Sequence, residues 1–177
     1  MPLVFRLIDP DLTKPANRAA FEALARWYAD PAIKYAIRPN FQESFLPDPS
    51  AEELAEGYSR MAKLAWFIYS DEVLVGEVTL DAHFHMLCRP IERTGWVSVI
   101  IGERDFWRQG IGSEAMHFLE DTARAMGLHR IELGVFSFNE RAMRLYDKLG
   151  YTECGRTAHF TYKPDQWHDD IRMEKWL

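Results

Sequence analysis

Read for the spacing of its apolar positions, the chain divides into short strands and amphipathic helices. Leu3 to Ile8 predicts a first strand. Pro15 to Ala29 carries Ala20, Leu24, Trp27 and Tyr28 at helical spacing and stops at Asp30-Pro31. Pro31 to Ile37 predicts a short second helix. Arg38 to Ser50 holds Pro39, Pro47 and Pro49 and predicts a loop. Ser50-Ala51-Glu52-Glu53 fits a capping box that opens a helix running to about Lys63. Leu64 to Tyr69 and Glu72 to Asp81 form a hairpin across Ser70-Asp71, and Ala82 to Thr94 is a long connection.

The apolar run Trp96 to Ile101 predicts a strand covered on both faces. A helix over Ser113 to Met126 places Ala115, Met116, Leu119, Ala123 and Met126 on one side. Arg130 to Phe136 is the next strand. Asn139 caps a helix over Glu140 to Leu149, which Gly150 closes. Tyr151 to Tyr162 and Asp169 to Trp176 are the last two strands. No repeat, low-complexity tract or linker interrupts residues 1–177, so one domain is expected. Strands followed by alternating strand and helix predict an α/β or α+β mixed sheet with helices on both faces.

Composition narrows the class. A chain of 177 residues can bury roughly 70% of its unfolded surface. Apolar residues at 47% with 27% charged indicate a globular chain. No apolar run approaches the ~18 residues that span a bilayer, and Met1 to Pro10 does not read as a signal peptide. Cys88 and Cys154 have neither metal nor redox spacing, which suits reduced thiols in a cytoplasmic protein. A net charge of −6 disfavours nucleic acid as partner and is compatible with a cationic acceptor.

The strongest chemical signal is Phe106-Trp107-Arg108-Gln109-Gly110-Ile111-Gly112-Ser113-Glu114-Ala115, between the Trp96–Ile101 strand and the following helix. The first amides of a helix lack internal partners and carry partial positive charge, so they bind anions. Gly110 and Gly112 let a phosphate approach the backbone, and Arg108 adds a full charge. No lysine follows either glycine, which excludes a Walker loop. Gly110-x-Gly112-x-x-Ala115 satisfies a dinucleotide fingerprint on paper. The turn should follow its strand directly, however, and Gly102 to Gln109 intervene.

The segment resembles the acetyl-coenzyme A loop of the GNAT N-acetyltransferases, Arg/Gln-x-x-Gly-x-Gly/Ala, with Trp107 in the first position. A second similarity is Phe136-Ser137-Phe138-Asn139-Glu140-Arg141-Ala142-Met143-Arg144-Leu145-Tyr146-Asp147-Lys148-Leu149-Gly150-Tyr151, which matches the family's Asn, Ala, Tyr, Leu-Gly-Phe/Tyr block. The tail Gln166 to Met173 also resembles the branch of ribosomal-protein-alanine and spermidine acetyltransferases.

The resemblance implies a GNAT-like, mostly antiparallel sheet of six to seven strands, splayed between its two central strands. It implies direct attack of an amine on the thioester of acetyl-coenzyme A as co-substrate. Backbone groups around Val99, Ile100 and Ile101 would pair with the pantetheine arm. Arg108, Gln109, Gly110, Ile111, Gly112 and Ser113 would cradle the pyrophosphate. Asn139 would bond the arm near its thiol, and Tyr146 would protonate the leaving sulfur.

The expected acceptor is a small-molecule or peptide amine, with no metal, nucleic acid or membrane partner, and a homodimer stays open. The base is not readable: Glu77, Asp81 and Glu103 are candidates, each expected to be a solvated carboxylate. His83, His85 and Cys88 read as a loop rather than a metal site. Trp27, Tyr28, Tyr35 and Phe41 belong to the region that lines acceptor clefts in the family, and most are expected in the core. A non-catalytic acyl-coenzyme A sensor and a nicotinamide or flavin oxidoreductase are the rival classes.

Overall fold

The computed structural model describes residues 2–164 and 166–177. Seven strands form one sheet: β1 (Leu3–Leu7), β2 (Leu64–Ser70), β3 (Val73–Asp81), β4 (Thr94–Ile101), β5 (Arg130–Phe136), β6 (Thr152–Lys163) and β7 (Gln166–Trp176). Their spatial order is β1-β2-β3-β4-β5-β7-β6. Every neighbouring pair is antiparallel except β4 and β5, which run parallel at the centre. The helices are α1 (Pro15–Ala29), α2 (Pro31–Ile37), α3 (Ala51–Arg60), α4 (Ile111–Ala125) and α5 (Glu140–Lys148). The expected mixed sheet with helices on both faces is what forms.

The two central strands share only three rungs: Thr94↔Arg130, Gly95↔Ile131 and Trp96↔Glu132. Beyond them β4 stays paired with β3 as far as Ile101↔Gly76, and β5 stays paired with β7 as far as Phe136↔Asp170. The sheet is therefore split by a wedge-shaped gap, closed at Trp96 and open at Ile101. One face of the sheet packs Val78, Leu80, Val97, Leu133, Val135, Ile171 and Met173 under α4 and α5. The other face packs Phe67 and Ile100 under α1, α2 and α3.

Local chemistry fixes the boundaries. The Ser50 capping box forms as read, with Glu53 returning to the Ser50 amide, but α3 ends at Arg60 rather than Lys63. The hairpin turn is Asp71-Glu72, one residue later than expected. Both have positive φ (47° and 63°), the pattern of a type I′ turn. Helix α4 starts at Ile111, not Ser113, because Gly110 (φ 85°) turns the chain directly into it.

Met126 leaves the apolar stripe and is exposed. Gly127 closes α4 in a Schellman arrangement, with Leu128 N–H on the Ala123 carbonyl (2.9 Å) and Gly127 N–H on Arg124 (2.9 Å), so Met126 is already a cap. The same device ends α5, where Tyr151 N–H donates to the Tyr146 carbonyl at 3.0 Å. Among the N-terminal aromatics Trp27 and Tyr35 are buried and Tyr28 half-buried. Phe41 is exposed and packs edge-on to Phe160.

Candidate active site

The loop that follows β4 is built to present main-chain N–H groups. A 3₁₀ turn over Arg104–Phe106 leads to Arg108 (φ 66°), Gln109 and Gly110 (φ 85°), so left-handed residues flank one of negative φ. Successive amides in such an alternation point into a shared concavity. Among the described residues the amides of Gln109, Gly110, Ile111 and Gly112 donate to no acceptor. Ser113 differs from expectation: its amide already donates to the Gly110 carbonyl at 2.9 Å. The two glycines have different reasons. Gly110 needs its backbone conformation, while a Cβ on Gly112 would lie 3.1 Å from Leu145 of α5.

Two guanidinium groups flank the loop without an anionic partner among the described residues, those of Arg108 and Arg141. Arg141 lies 3.8 Å from the centre of the Trp107 ring. Burial first, then repulsion from Arg108, lowers the Arg141 pKa from its ordinary value. Two like charges held this way favour an anion between them. Trp107 also secures the end of β4, because its indole N–H donates to the Ile101 carbonyl at 2.8 Å.

That bond bears on the backbone groups that the resemblance assigned to the pantetheine arm. Gly102 N–H donates to Val75 of β3, so the alternation of an antiparallel ladder turns the backbone of Val97, Val99 and Ile101 toward β5. Val99 therefore faces the gap. Ile100 faces β3, and the Ile101 carbonyl is already taken.

Asn139 caps α5, its side-chain oxygen accepting from Ala142 N–H at 3.3 Å. Tyr146 is 7% exposed and packs on the α4/α5 face with Val97, Leu133 and Val135. Burial alone pushes its phenol up to about 12. No described group bonds its hydroxyl, yet no sealed side-chain polar atom lacks a partner, so the hydroxyl opens onto accessible space. The loop amides thus stand at the open end of the gap and Val99 faces it, while Tyr146 packs on the α4/α5 face of the same two strands.

The carboxylates behave differently from expectation. Glu77 is not solvated; it is 1% exposed, on β3 beneath α1 and α3. The Tyr28 hydroxyl donates to it at 3.1 Å and Tyr58 donates to its other oxygen. Burial raises the Glu77 pKa despite those donors, and burial lowers that of nearby Lys63. Glu103 accepts from the Trp27 indole (2.9 Å) and pairs with Arg26 (3.1 Å). Asp81 accepts from the His83 amide at 2.8 Å.

The 82–93 connection straps across the closed end of the gap. Phe84 stacks on Trp96 (4.5 Å between centres), and the Cys88 amide donates to Glu132 at 2.5 Å. Arg130, Glu132 and Glu174 form a buried ionic cluster beneath this strap, of which the sequence singled out only Glu132, as a possible acidic partner of a dinucleotide fingerprint. Arg130 and Glu132, charged residues inside an otherwise apolar strand, carried a signal, whereas Glu174 sits among the polar residues of β7 and carried none.

A model of the acetyltransferase (GNAT) family matches residues 7–151. The chain belongs to that family, the acetyltransferases that use acetyl-coenzyme A as co-substrate. An uncharacterized N-acetyltransferase of Bacillus subtilis, YdgE, is 41% identical over 46 residues, which cover 26% of this chain and 29% of that protein. This chain thus matches under a third of that curated relative's length.

Two solved structures share the fold throughout. Spermidine N-acetyltransferase from Vibrio cholerae, in complex with CoA and spermine, has a TM-score of 0.77 at 19% identity, covering 98% of this chain and 95% of that one. Ribosomal-protein-alanine N-acetyltransferase from Brucella melitensis has a TM-score of 0.70 at 20% identity, covering 98% and 99%. No described helix is long and apolar enough to cross a membrane.

Proposed function

We propose that this chain transfers an acetyl group from acetyl-coenzyme A to the primary amine of a small acceptor. The observation that carries the reading is the gap between β4 and β5, with four unbonded amides at its open end. A pyrophosphate on Gln109, Gly110, Ile111 and Gly112, beside Arg108 and Arg141, leaves the arm one path, along Val99 toward the closed end. A thiol carried there comes under Tyr146. The phenol is protonated at neutral pH, so it has a proton to give as the thiolate leaves. Asn139, with its oxygen committed to the cap, has its amide nitrogen left for the arm.

The small-amine acceptor is supported by the net charge of −6 and by the spermidine-acetylating structural relative. An N-terminal peptide amine is the second reading, supported by the likeness to the ribosomal-protein-alanine enzyme. The test is thiol release from acetyl-coenzyme A with spermidine, aminoglycosides and short peptides as acceptors. Turnover on spermidine or an aminoglycoside is expected. Turnover confined to peptides would move the acceptor to the second reading, and turnover on no amine would remove the activity.

A further inference from the structure

We infer that Asp170 is the group that receives the acceptor amine and takes its proton; this rests on the cofactor reading above. Asp170 lies on β7, paired with Phe136 of β5, and is 3% exposed. Its Oδ2 accepts from Arg172 Nε at 2.5 Å. No described donor reaches Oδ1. Since no sealed side-chain oxygen lacks a partner, Oδ1 opens onto accessible space. A nine-tenths buried carboxylate with one bare oxygen is costly to keep unless something meets it.

The place of that oxygen gives its use. A Cβ on Gly134 would lie 3.0 Å from Oδ1 and 3.0 Å from the Trp96 ring. Gly134 is the second residue beyond the last shared rung, Trp96↔Glu132, so Oδ1 stands where the gap begins. This is the end to which an arm anchored at Gly110 would bring its thioester. The glycine keeps the place beside Oδ1 clear, since even a methyl there would press on both Oδ1 and the Trp96 ring. Trp96, backed by Phe84 and by Arg172 (4.7 Å from the ring centre), walls that room.

The two sides of the gap are then complementary. Tyr146 approaches from the α4/α5 face, and Asp170 belongs to the opposite face, with Trp96 and Gly134. The charged groups facing Asp170 are Arg172 on its own strand and Glu132 on β5, itself paired with Arg172 at 3.8 Å. Arg172 holds Asp170 in place, and its charge is shared with a second carboxylate.

The amine nitrogen, hydrogen-bonded to Oδ1, forms a bond to the thioester carbon. The tetrahedral intermediate expels the sulfur, which takes the Tyr146 proton. The nitrogen yields one proton to Asp170, and solvent returns it to Tyr146. The products are the N-acetyl amine and coenzyme A, with atoms and charge balanced.

The experiment compares wild type with Asp170→Asn on the best acceptor from the panel, together with calorimetric binding of coenzyme A. The expected result is a fall in kcat/KM of roughly 100-fold or more, the usual contribution of a positioned base, with coenzyme A affinity within threefold of wild type. Asp170→Asn within threefold of wild-type kcat/KM overturns the inference. A tenfold loss of coenzyme A affinity overturns it too, since it makes the residue part of the cofactor site.

Should Asp170→Asn fail to fold, Gly134→Ala reads the same room without touching the charge. Its Cβ would crowd Oδ1, and acceptor kcat/KM must fall at least tenfold with coenzyme A still bound; an unchanged value overturns the inference. A wild type that acetylates no amine speaks against the function itself, not against Asp170 alone.

Discussion

Tyr146 and Gly110 make separable contributions to the proposed reaction, and single substitutions distinguish them. Tyr146→Phe removes one hydroxyl from a packed ring, so the fold should keep its stability. We expect kcat to fall roughly 100-fold with coenzyme A affinity unchanged, measured by thiol release and calorimetry. A phenol raised to about 12 by burial stays protonated as pH rises, so no alkaline loss of rate should trace to Tyr146 below about pH 11. A sensor protein would show no such change of rate.

Gly110→Ala acts through the backbone. A φ of 85° costs a non-glycine residue about 1–2 kcal/mol, and relaxing it would turn the amides away from their concavity. Coenzyme A affinity should fall at least about tenfold, while Tyr146→Phe leaves it intact. At this scale the sequence was informative where chemistry is local. Gly110, Gly112, Asn139 and Tyr146 could be placed from spacing and resemblance. Asp170 could not, because its bare oxygen depends on Gly134 and Trp96, which come from two other strands.

Strand β3 shows why a pattern read one element at a time misleads. Glu77, Thr79 and Asp81 alternate with Val78 and Leu80, which by itself describes a strand with one wet face. Placement of α1 and α3 over that face buries Glu77 and supplies the hydroxyls of Tyr28 and Tyr58. No property of β3 alone announces those partners. The consequence is a pH dependence of stability.

The native pKa of Glu77 is raised above its ordinary 4.5, so the folded state holds the proton more tightly than the unfolded chain. Its stabilising contribution is complete below 4.5 and is lost as pH rises through the native value. Glu77→Gln stays neutral throughout and avoids that loss. Melting of the two proteins from pH 4 to pH 8 should show the variant gaining on wild type as pH rises. A gap that stays constant with pH would show Glu77 ionised in the fold at its ordinary pKa.

For the molecule as a whole, the open gap needs a firm closed end, because two strands that part at one end are held only by the other. Arg130 supplies much of that hold. Its Nε donates to Glu174 (2.6 Å), one terminal nitrogen donates to Glu132 (2.6 Å), and the other reaches Thr94 and the Arg89 carbonyl (each 3.3 Å). One side chain thus ties β4, β5, β7 and the strap, with Arg130 and Glu132 both 0% exposed.

Removing the cation alone leaves two carboxylates facing each other in the interior. Arg130→Met should therefore cost about 3–5 kcal/mol in urea unfolding. Arg130→Lys keeps the charge but gathers its donors on one nitrogen, which cannot reach the four partners that the guanidinium spans, so its cost should be intermediate. The ordering has a functional counterpart: loosening the three shared rungs lets the gap vary in width, so coenzyme A affinity should fall in the same order as stability. If Arg130→Met unfolds within about 1 kcal/mol of wild type, the cluster contributes little and strand pairing alone holds the gap closed.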